Sequence, residues 1–230
     1  MEKLPVPSNP DPYKIASSVL LFDSPWIRLR EDIFTHRSGA EGRYAVCGFR
    51  QTACGVLALD EHDRVVLVGQ WRHPLKCYSW EIVEGGGTKD ESPFDAIKRE
   101  LAEEAGLQAA LWEPLLYSNL SNSSTDEEAF LFVAKDLSPA PEGLHPDDVE
   151  ELAVMYEPFQ NCLQRVFTGE IADGLTVIAL LAEQARRAGI KSLMEPDVQE
   201  RFFQTPANHP SNGRREWDGA FPVQNRVPQF

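Results

Sequence analysis

Residues 85–107, GGGTKDESPFDAIKRELAEEAGL, constrain the fold more than any other stretch of this chain. Glycines open it, a charged loop follows, and the remainder fits one helix with marked ends. Ser92 is placed to cap that helix, Pro93 suits its first position, and Asp95 puts an acid in the first turn, where the helix dipole favours negative charge. Gly106 is the expected stop, because helices commonly close on a left-handed residue and glycine adopts that conformation without penalty. At the helical period Phe94, Ile97, Leu101 and Ala105 form one apolar stripe.

Glu100, Glu103 and Glu104 fall at i, i+3 and i+4, so they share a neighbouring face. Like charges at this spacing repel by about 0.2–0.5 kcal/mol per pair. Lys98 and Arg99 offset part of that repulsion. A divalent cation among the acids would remove the rest, since Mg²⁺ and Ca²⁺ choose carboxylate oxygens. A bare ExxEE is usually a solvated acidic face, so its surroundings must decide. Gly85, Gly86 and Gly87 read as a turn whose missing Cβ atoms let the backbone approach an ion. The turn lacks the GK[ST] ending of a phosphate-binding P-loop.

The spacing of Gly85, Glu91, Arg99-Glu100-Leu101, Glu103-Glu104 and Gly106-Leu107 resembles the complete signature of the Nudix hydrolases. The likeness extends more loosely from about Val56 to about Ala188. It implies a loop and helix that hold Mg²⁺, or Mn²⁺ in its place, against a diphosphate joined to a nucleoside. By the same resemblance Glu100, Glu103 and Glu104, with the backbone carbonyl of Glu84 just before Gly85, are the expected metal ligands. Glu91 and Arg99 are expected to pair and lock the loop to the helix.

Upstream, QWRHPL followed by WEIVEGGG resembles the ADP-ribose and nucleotide-sugar branch. Arg72 then becomes a candidate diphosphate contact, suited by its planar fork of donors, and Glu81 a candidate base or ribose contact. Downstream, the acids Asp147, Asp148, Glu150 and Glu151 enter a strand. In the branch this chain resembles, that loop supplies a further ligand and a general base. Glu150 stands at the ligand position and Asp148 near the base position, with Glu151 the alternative if the register slips, and Glu103 a rival base. ADP-ribose hydrolases of this branch usually carry a proline about 15 residues after the signature; Asn122 stands there instead, which counts against ADP-ribose itself and leaves nucleotide sugars open.

The rest of the chain reads as follows. Residues 1–16 form a proline-rich arm, and strands from Ala16 to Phe49 form a meander around a turn at residues 36–42. The resemblance implies that this small sheet pairs two subunits, with Trp26 or Phe49 as stacking rings, although core packing explains either aromatic as well. Strands follow at residues 54–59, 65–71 and 80–84, the last running straight into Gly85. Beyond the signature helix come strands at residues 111–117, 129–134 and 152–156, then helices at 159–167 and 173–188. The expected fold class is α/β of the α+β type: a mixed sheet sandwiched by helices, with a small N-terminal antiparallel sheet. The expected division is arm and meander 1–50, hydrolase domain 51–190 and tail 191–230.

A net charge of −14 argues against a nucleic-acid partner, since phosphate contacts need a basic surface. No apolar run is long enough to span a bilayer, and no signal-peptide core follows the first residues. The four cysteines lack CxxC spacing and read as reduced core residues. Together these lead to an expected cytoplasmic protein that binds neither nucleic acid nor membrane; the resemblance implies a homodimer that takes a nucleoside diphosphate-linked small molecule. The expected reaction is Mg²⁺-dependent hydrolysis of that diphosphate to a nucleoside monophosphate and a sugar phosphate. A house-cleaning nucleoside triphosphate pyrophosphohydrolase is the alternative, and a non-catalytic nucleotide-binding regulator a third.

Overall fold

The computed structural model describes residues 4–141, 151–190 and 194–205. The chain divides into two compact units, one built on Met1–Arg50 with Ser121–Glu127, the other on Gln51–Leu120 with Glu128–Asn212.

The first unit is an antiparallel sheet of β1 (Tyr13–Asp23), β2 (Ile27–His36) and β3 (Glu41–Phe49), in that order. β1 starts at Tyr13, earlier than the expected Ala16, because Tyr13 pairs with His36 and its ring packs edge-on against Phe34, 4.7 Å away. Ser121–Glu127 joins this unit through hydrogen bonds from Cys47 N to the Ser124 carbonyl (2.9 Å) and from Phe49 N to Asp126 Oδ1 (3.1 Å). Trp26 does not pack in a core; it is 71% exposed just ahead of β2.

The second unit carries β4 (Thr52–Ala58), β5 (Arg64–Arg72), β6 (Cys77–Glu81), β7 (Val83–Gly87), α1 (Pro93–Ala105), β8 (Leu107–Asn119) and β9 (Glu128–Pro139). β10 (Ala153–Pro158), α2 (Phe159–Thr168), α3 (Gly174–Arg187) and α4 (Pro196–Glu200) complete it. Two sheets result, one antiparallel in the order β10-β5-β6, the other mixed in the order β7-β4-β9-β8 with β4 and β9 parallel. Strand alternation divides their apolar residues between two cores. Cys54, Val56 and Ala58 of β4 join Ile97 and Leu101 of α1. Leu57, with Leu131 and Val133 of β9, joins Phe159 of α2 and Leu175, Ala179 and Leu180 of α3. The sheets are therefore covered by helices on both faces, which is the expected α+β sandwich.

Two sequence expectations are corrected here. The single strand at residues 80–84 is two strands in different sheets: β6 pairs with β5 and ends at Glu81, while β7 pairs with β4 and starts at Val83. The glycine turn is a strand as well, with Gly85, Gly86 and Gly87 opposite Cys54, Ala53 and Thr52. A glycine run suggests a turn because glycine tolerates positive φ, but none of these three adopts it.

The signature helix has the expected ends. Ser92 Oγ accepts from Asp95 N at 3.0 Å, and Gly106 closes α1 at φ 65°. A further cap comes from a distant segment: Phe94 N donates to the Phe202 carbonyl at 3.0 Å, satisfying one of the donors that a helix start leaves open. The stretch from Lys191 lacks periodicity, yet its aromatics point to docking rather than disorder. α4 is followed by a fully buried Phe202, whose ring meets Phe130 at 5.0 Å and Phe132 at 5.1 Å. The tail from Asn208 lies outside the described residues. Cys54 and Cys162 are buried, whereas Cys77 is exposed, so the core expectation fails for Cys77; all four cysteines are free.

Candidate active site

Gly85 decides how closely α1 approaches the sheet. A Cβ at this position would stand 2.1 Å from Glu100 Cδ and 2.2 Å from Glu100 Oε1, far inside contact distance. The carboxyl group of Glu100 occupies the space that any other residue's side chain would fill. Gly86 makes similar room for Gln51, whose Oε1 would lie 2.3 Å from an added Cβ. The value of the glycines is thus the missing side chain rather than an unusual backbone angle.

Arg99 organises the acids of α1. Its Nη1 donates to Glu100 Oε1 at 2.9 Å and to Glu103 Oε2 at 2.8 Å. Nε and Nη2 reach the two oxygens of Glu91 at 3.1 and 3.2 Å, and Nη2 also meets the Gly86 carbonyl at 3.2 Å. Burial works against the charge of Arg99, but hydrogen bonds to Glu91 and Glu103 and the charge of Glu100 outweigh it and hold the guanidinium firmly protonated. One planar cation therefore ties the loop acid, two helix acids and the glycine strand together. Glu104 lies one residue beyond Glu103 on the same helix.

The opposite face of β7 holds a second polar group. Arg72 grips Glu81 with two nitrogens, Nε lying 2.9 and 3.1 Å from the two carboxylate oxygens, and Glu81 is only 2% exposed. Carboxylate oxygens of Glu81, Glu84 and Asp173 come within 4.8 Å of one another. Asp173 caps α3, its Oδ2 accepting from Thr176 N at 2.8 Å. Burial pushes the Glu84 carboxyl well above the usual range, helped by the charge of Asp173 and a hydrogen bond to it. Burial would raise Asp173 too, but hydrogen bonds from Glu84 and Thr176 prevail and hold it low. The two acids are thus pushed in opposite directions, Glu84 toward its protonated form and Asp173 toward its ionised one.

The structure brings together Gly85, Glu91, Arg99, Glu100 and Glu103 on the α1 side, and Arg72, Glu81 and Glu84 on the other. The side chain of Glu84, named in the sequence for its carbonyl, turns toward α3. Asp148 and Glu150 lie outside the described residues; Glu151 is exposed ahead of β10. Asp173 and Thr176 went unnoticed beyond their place in a helix. Asp173 was legible as a cap, but its neighbour Glu84 is 89 residues away, and no local pattern joins them.

A family model, the NUDIX domain, matches residues 49–167. The chain belongs to the Nudix family. This Nudix chain is 31% identical over 136 residues to the ADP-ribose pyrophosphatase of Bacillus subtilis strain 168, covering 59% of this chain and 74% of that one. It is 29% identical over 140 residues to the ADP-ribose pyrophosphatase of Mycobacterium tuberculosis H37Rv, covering 60% and 67%. It is also 32% identical over 136 residues to the methanol dehydrogenase activator of Bacillus methanolicus, covering 59% and 74%. A solved structure of an ADP compounds hydrolase superposes with a TM-score of 0.71 at 19% identity, covering 78% of this chain and 96% of that one, and shows the same fold. The Nudix signature read at residues 85–107 thus stands, and with it the assignment to the family's pyrophosphohydrolases.

The α1 acids supply carboxylate oxygens, the donor type that divalent cations take, whereas among the described residues the three carboxylates close enough to share one ion are Glu81, Glu84 and Asp173. Glu100, Glu103 and Glu104 offer hard oxygens from one helix, and the missing Cβ of Gly85 lets Glu100 lie against the strand. Glu81, Glu84 and Asp173 are a second group of oxygens, already engaged with Arg72, Thr176 and one another.

Proposed function

We propose that this chain hydrolyses the diphosphate of ADP-ribose or a related nucleoside diphosphate sugar in a Mg²⁺-dependent reaction, releasing a nucleoside monophosphate and a sugar phosphate. The observation that carries this reading is the contact of Gly85 with Glu100, which brings the acids of α1 against a strand entered from the Arg72–Glu81 pair. Glu100, Glu103, Glu104 and the carbonyl of Glu84 would hold the cation, with Glu150 as a further ligand. When bound, that cation supplies Lewis-acid polarisation of the phosphates and lowers the pKa of water.

The chain's own residues do the rest. Arg72 binds the diphosphate and offsets charge developing on its oxygens. Glu81 holds the Arg72 fork in place and meets the base or ribose. Glu103 or Asp148 accepts the proton of the attacking water. Glu91 and Arg99 fix the loop to the helix and keep Glu100 and Glu103 oriented. The names of the bacterial relatives support ADP-ribose as the first substrate to test.

The same reading includes a homodimer formed through the β1–β3 sheet, supported by the exposure of Ile15, Phe22 and Trp26 at 51%, 52% and 71%. It also includes a cytoplasmic location and no nucleic-acid or membrane partner; among the described residues no helix is long and apolar enough to cross a membrane.

A Mg²⁺- and Mn²⁺-dependent screen tests the proposal. ADP-ribose, GDP-mannose, UDP-glucose, dinucleoside polyphosphates and nucleoside triphosphates are offered separately and the products identified. Monophosphate and sugar phosphate from ADP-ribose or a nucleotide sugar are expected. Preferred release of pyrophosphate from triphosphates would replace this reading with the house-cleaning one.

A further inference from the structure

One hydroxyl group is hydrogen-bonded into the step from β6 to β7. β6 ends with Glu81 opposite Val68, β7 begins with Val83 opposite Val56, and Ile82 lies between the two ladders. Its side chain is buried, and its backbone N–H donates to Thr176 Oγ1 at 3.0 Å in a buried hydrogen bond. Thr176 is fully buried, and its Oγ1 in turn donates to Glu84 Oε1 at 3.2 Å. Thr176 N is bound to Asp173 Oδ2 at 2.8 Å, so the cap of α3 fixes where the hydroxyl stands. A buried N–H without a partner is strongly disfavoured, and here the partner is supplied by a residue 94 positions away.

This crossing joins the two halves of the candidate site. Glu81, held by Arg72, is the residue before Ile82; Glu84 and Gly85 follow it closely, and Gly85 abuts Glu100. A shift at Ile82 therefore changes the placement of the Arg72–Glu81 pair relative to Glu100 and Glu103.

We propose that Thr176 is a positioning residue for phosphate-bond hydrolysis: its hydroxyl pins the β6–β7 crossing and so sets the register between the Arg72–Glu81 pair and the acids of α1. The inference rests on the diphosphate-hydrolase reading above. Each half remains intact when the hydroxyl is lost, because Arg72 keeps Glu81 and Arg99 keeps Glu100 and Glu103. Substrate capture then survives while alignment of the reacting atoms does not, and the loss falls on kcat.

Thr176→Val keeps the shape and removes the hydroxyl, whereas Thr176→Ser keeps the hydroxyl. Leu180→Ala, a fully buried change one helical turn from Thr176 and in the same core as Ile82, serves as a control that removes packing but leaves the hydroxyl in place. The measurements are kcat and KM for the best diphosphate substrate of the screen, calorimetric affinity for the α,β-methylene analogue of ADP-ribose, and Tm. For Thr176→Val, kcat is expected to fall on the order of tenfold to a hundredfold, the scale of a misplacement of about 1 Å. KM and analogue affinity should stay close to wild type. Thr176→Ser should restore kcat, and Leu180→Ala should lower Tm while leaving kcat at wild type well below its transition.

If the valine variant does not fold, Thr176→Cys, with its weak donor and acceptor, should give a kcat below that of Thr176→Ser. A cysteine variant as fast as the serine one would overturn the role. So would a folded Thr176→Val that loses Tm yet turns over at the wild-type rate, or a serine variant that fails to rescue. A wild-type chain inert toward every diphosphate would instead sink the functional reading itself.

Discussion

On one face of β7, Gly85 gives way to the carboxyl group of Glu100 from α1; on the other, Glu84 reaches Thr176 and Asp173 of α3. Neighbouring residues of a strand point to opposite sides, so one strand serves both groups. The α1 face is built by subtraction and by charge: a missing Cβ makes the room, and Arg99 offsets the crowding of Glu91, Glu100 and Glu103. The α3 face carries its acids by hydrogen bonding between Glu84 and Asp173 and by the Thr176 hydroxyl. Two neighbouring clusters of carboxylates are therefore stabilised by different means. One is offset by a single arginine, Arg99; the other is held by Arg72, by Thr176 and by bonding between its own acids.

This contrast can be attacked in order of expected effect. The largest is Glu103→Gln on the α1 face. The amide still accepts from Arg99 but cannot take a proton, so kcat should drop about 10²–10⁴-fold, the usual worth of a general base. Tm should barely move. Near-normal turnover would remove Glu103 from the chemistry and leave the loop acids to supply the base.

Gly85→Ala comes next. The added methyl must displace Glu100, with an overpacking cost of about 1–3 kcal/mol. Misplacing that acid should lower kcat/KM on the order of a hundredfold. Chemical denaturation and steady-state kinetics read the two effects separately, and an alanine variant with wild-type kinetics would show that Glu100 need not lie against the strand.

The smallest effect is expected on the α3 face. The pKa of Glu84 is raised in the fold, so its contribution to stability is complete below its ordinary value of 4.5 and is lost as pH climbs through the raised one. Asp173, held low, has the opposite sense: its contribution is present above 3.8 and lost as pH falls through its depressed value. Glu84→Gln mimics the protonated state, so its metal-free Tm should match wild type in acid and exceed it progressively toward neutral pH. The gap should amount to a few degrees, at about 2–4 °C per kcal/mol for a chain of this size. Parallel Tm curves from acid to neutral pH would mean that Glu84 is already ionised, and the two faces would then be electrostatically alike.

The readable parts of the molecule share one property. Ser92, Pro93, Asp95 and Gly106 mark the ends of α1 through bonds made within a few residues, so spacing alone reveals them. The same locality exposed the acids of that helix and their relation to Arg99. The misread parts fail for one reason as well. Gly85, Gly86 and Gly87 look like a turn until β4 is laid beside them, and residues 80–84 look continuous until each end is assigned its own sheet. Phe202 has no periodic neighbours, yet it fills a space framed by Phe130 and Phe132.

From the order of residues alone come the signature, the helix with its caps, most of the strands, and the hydrolase family. Those features depend on short-range hydrogen bonds and on the periods of helix and strand. Only the folded chain decides which strand each glycine borders, which acid is pushed toward its protonated form, and which hydroxyl satisfies Ile82. Those outcomes turn on burial and on contacts between segments far apart in sequence, where no repeat or spacing records the partner in advance.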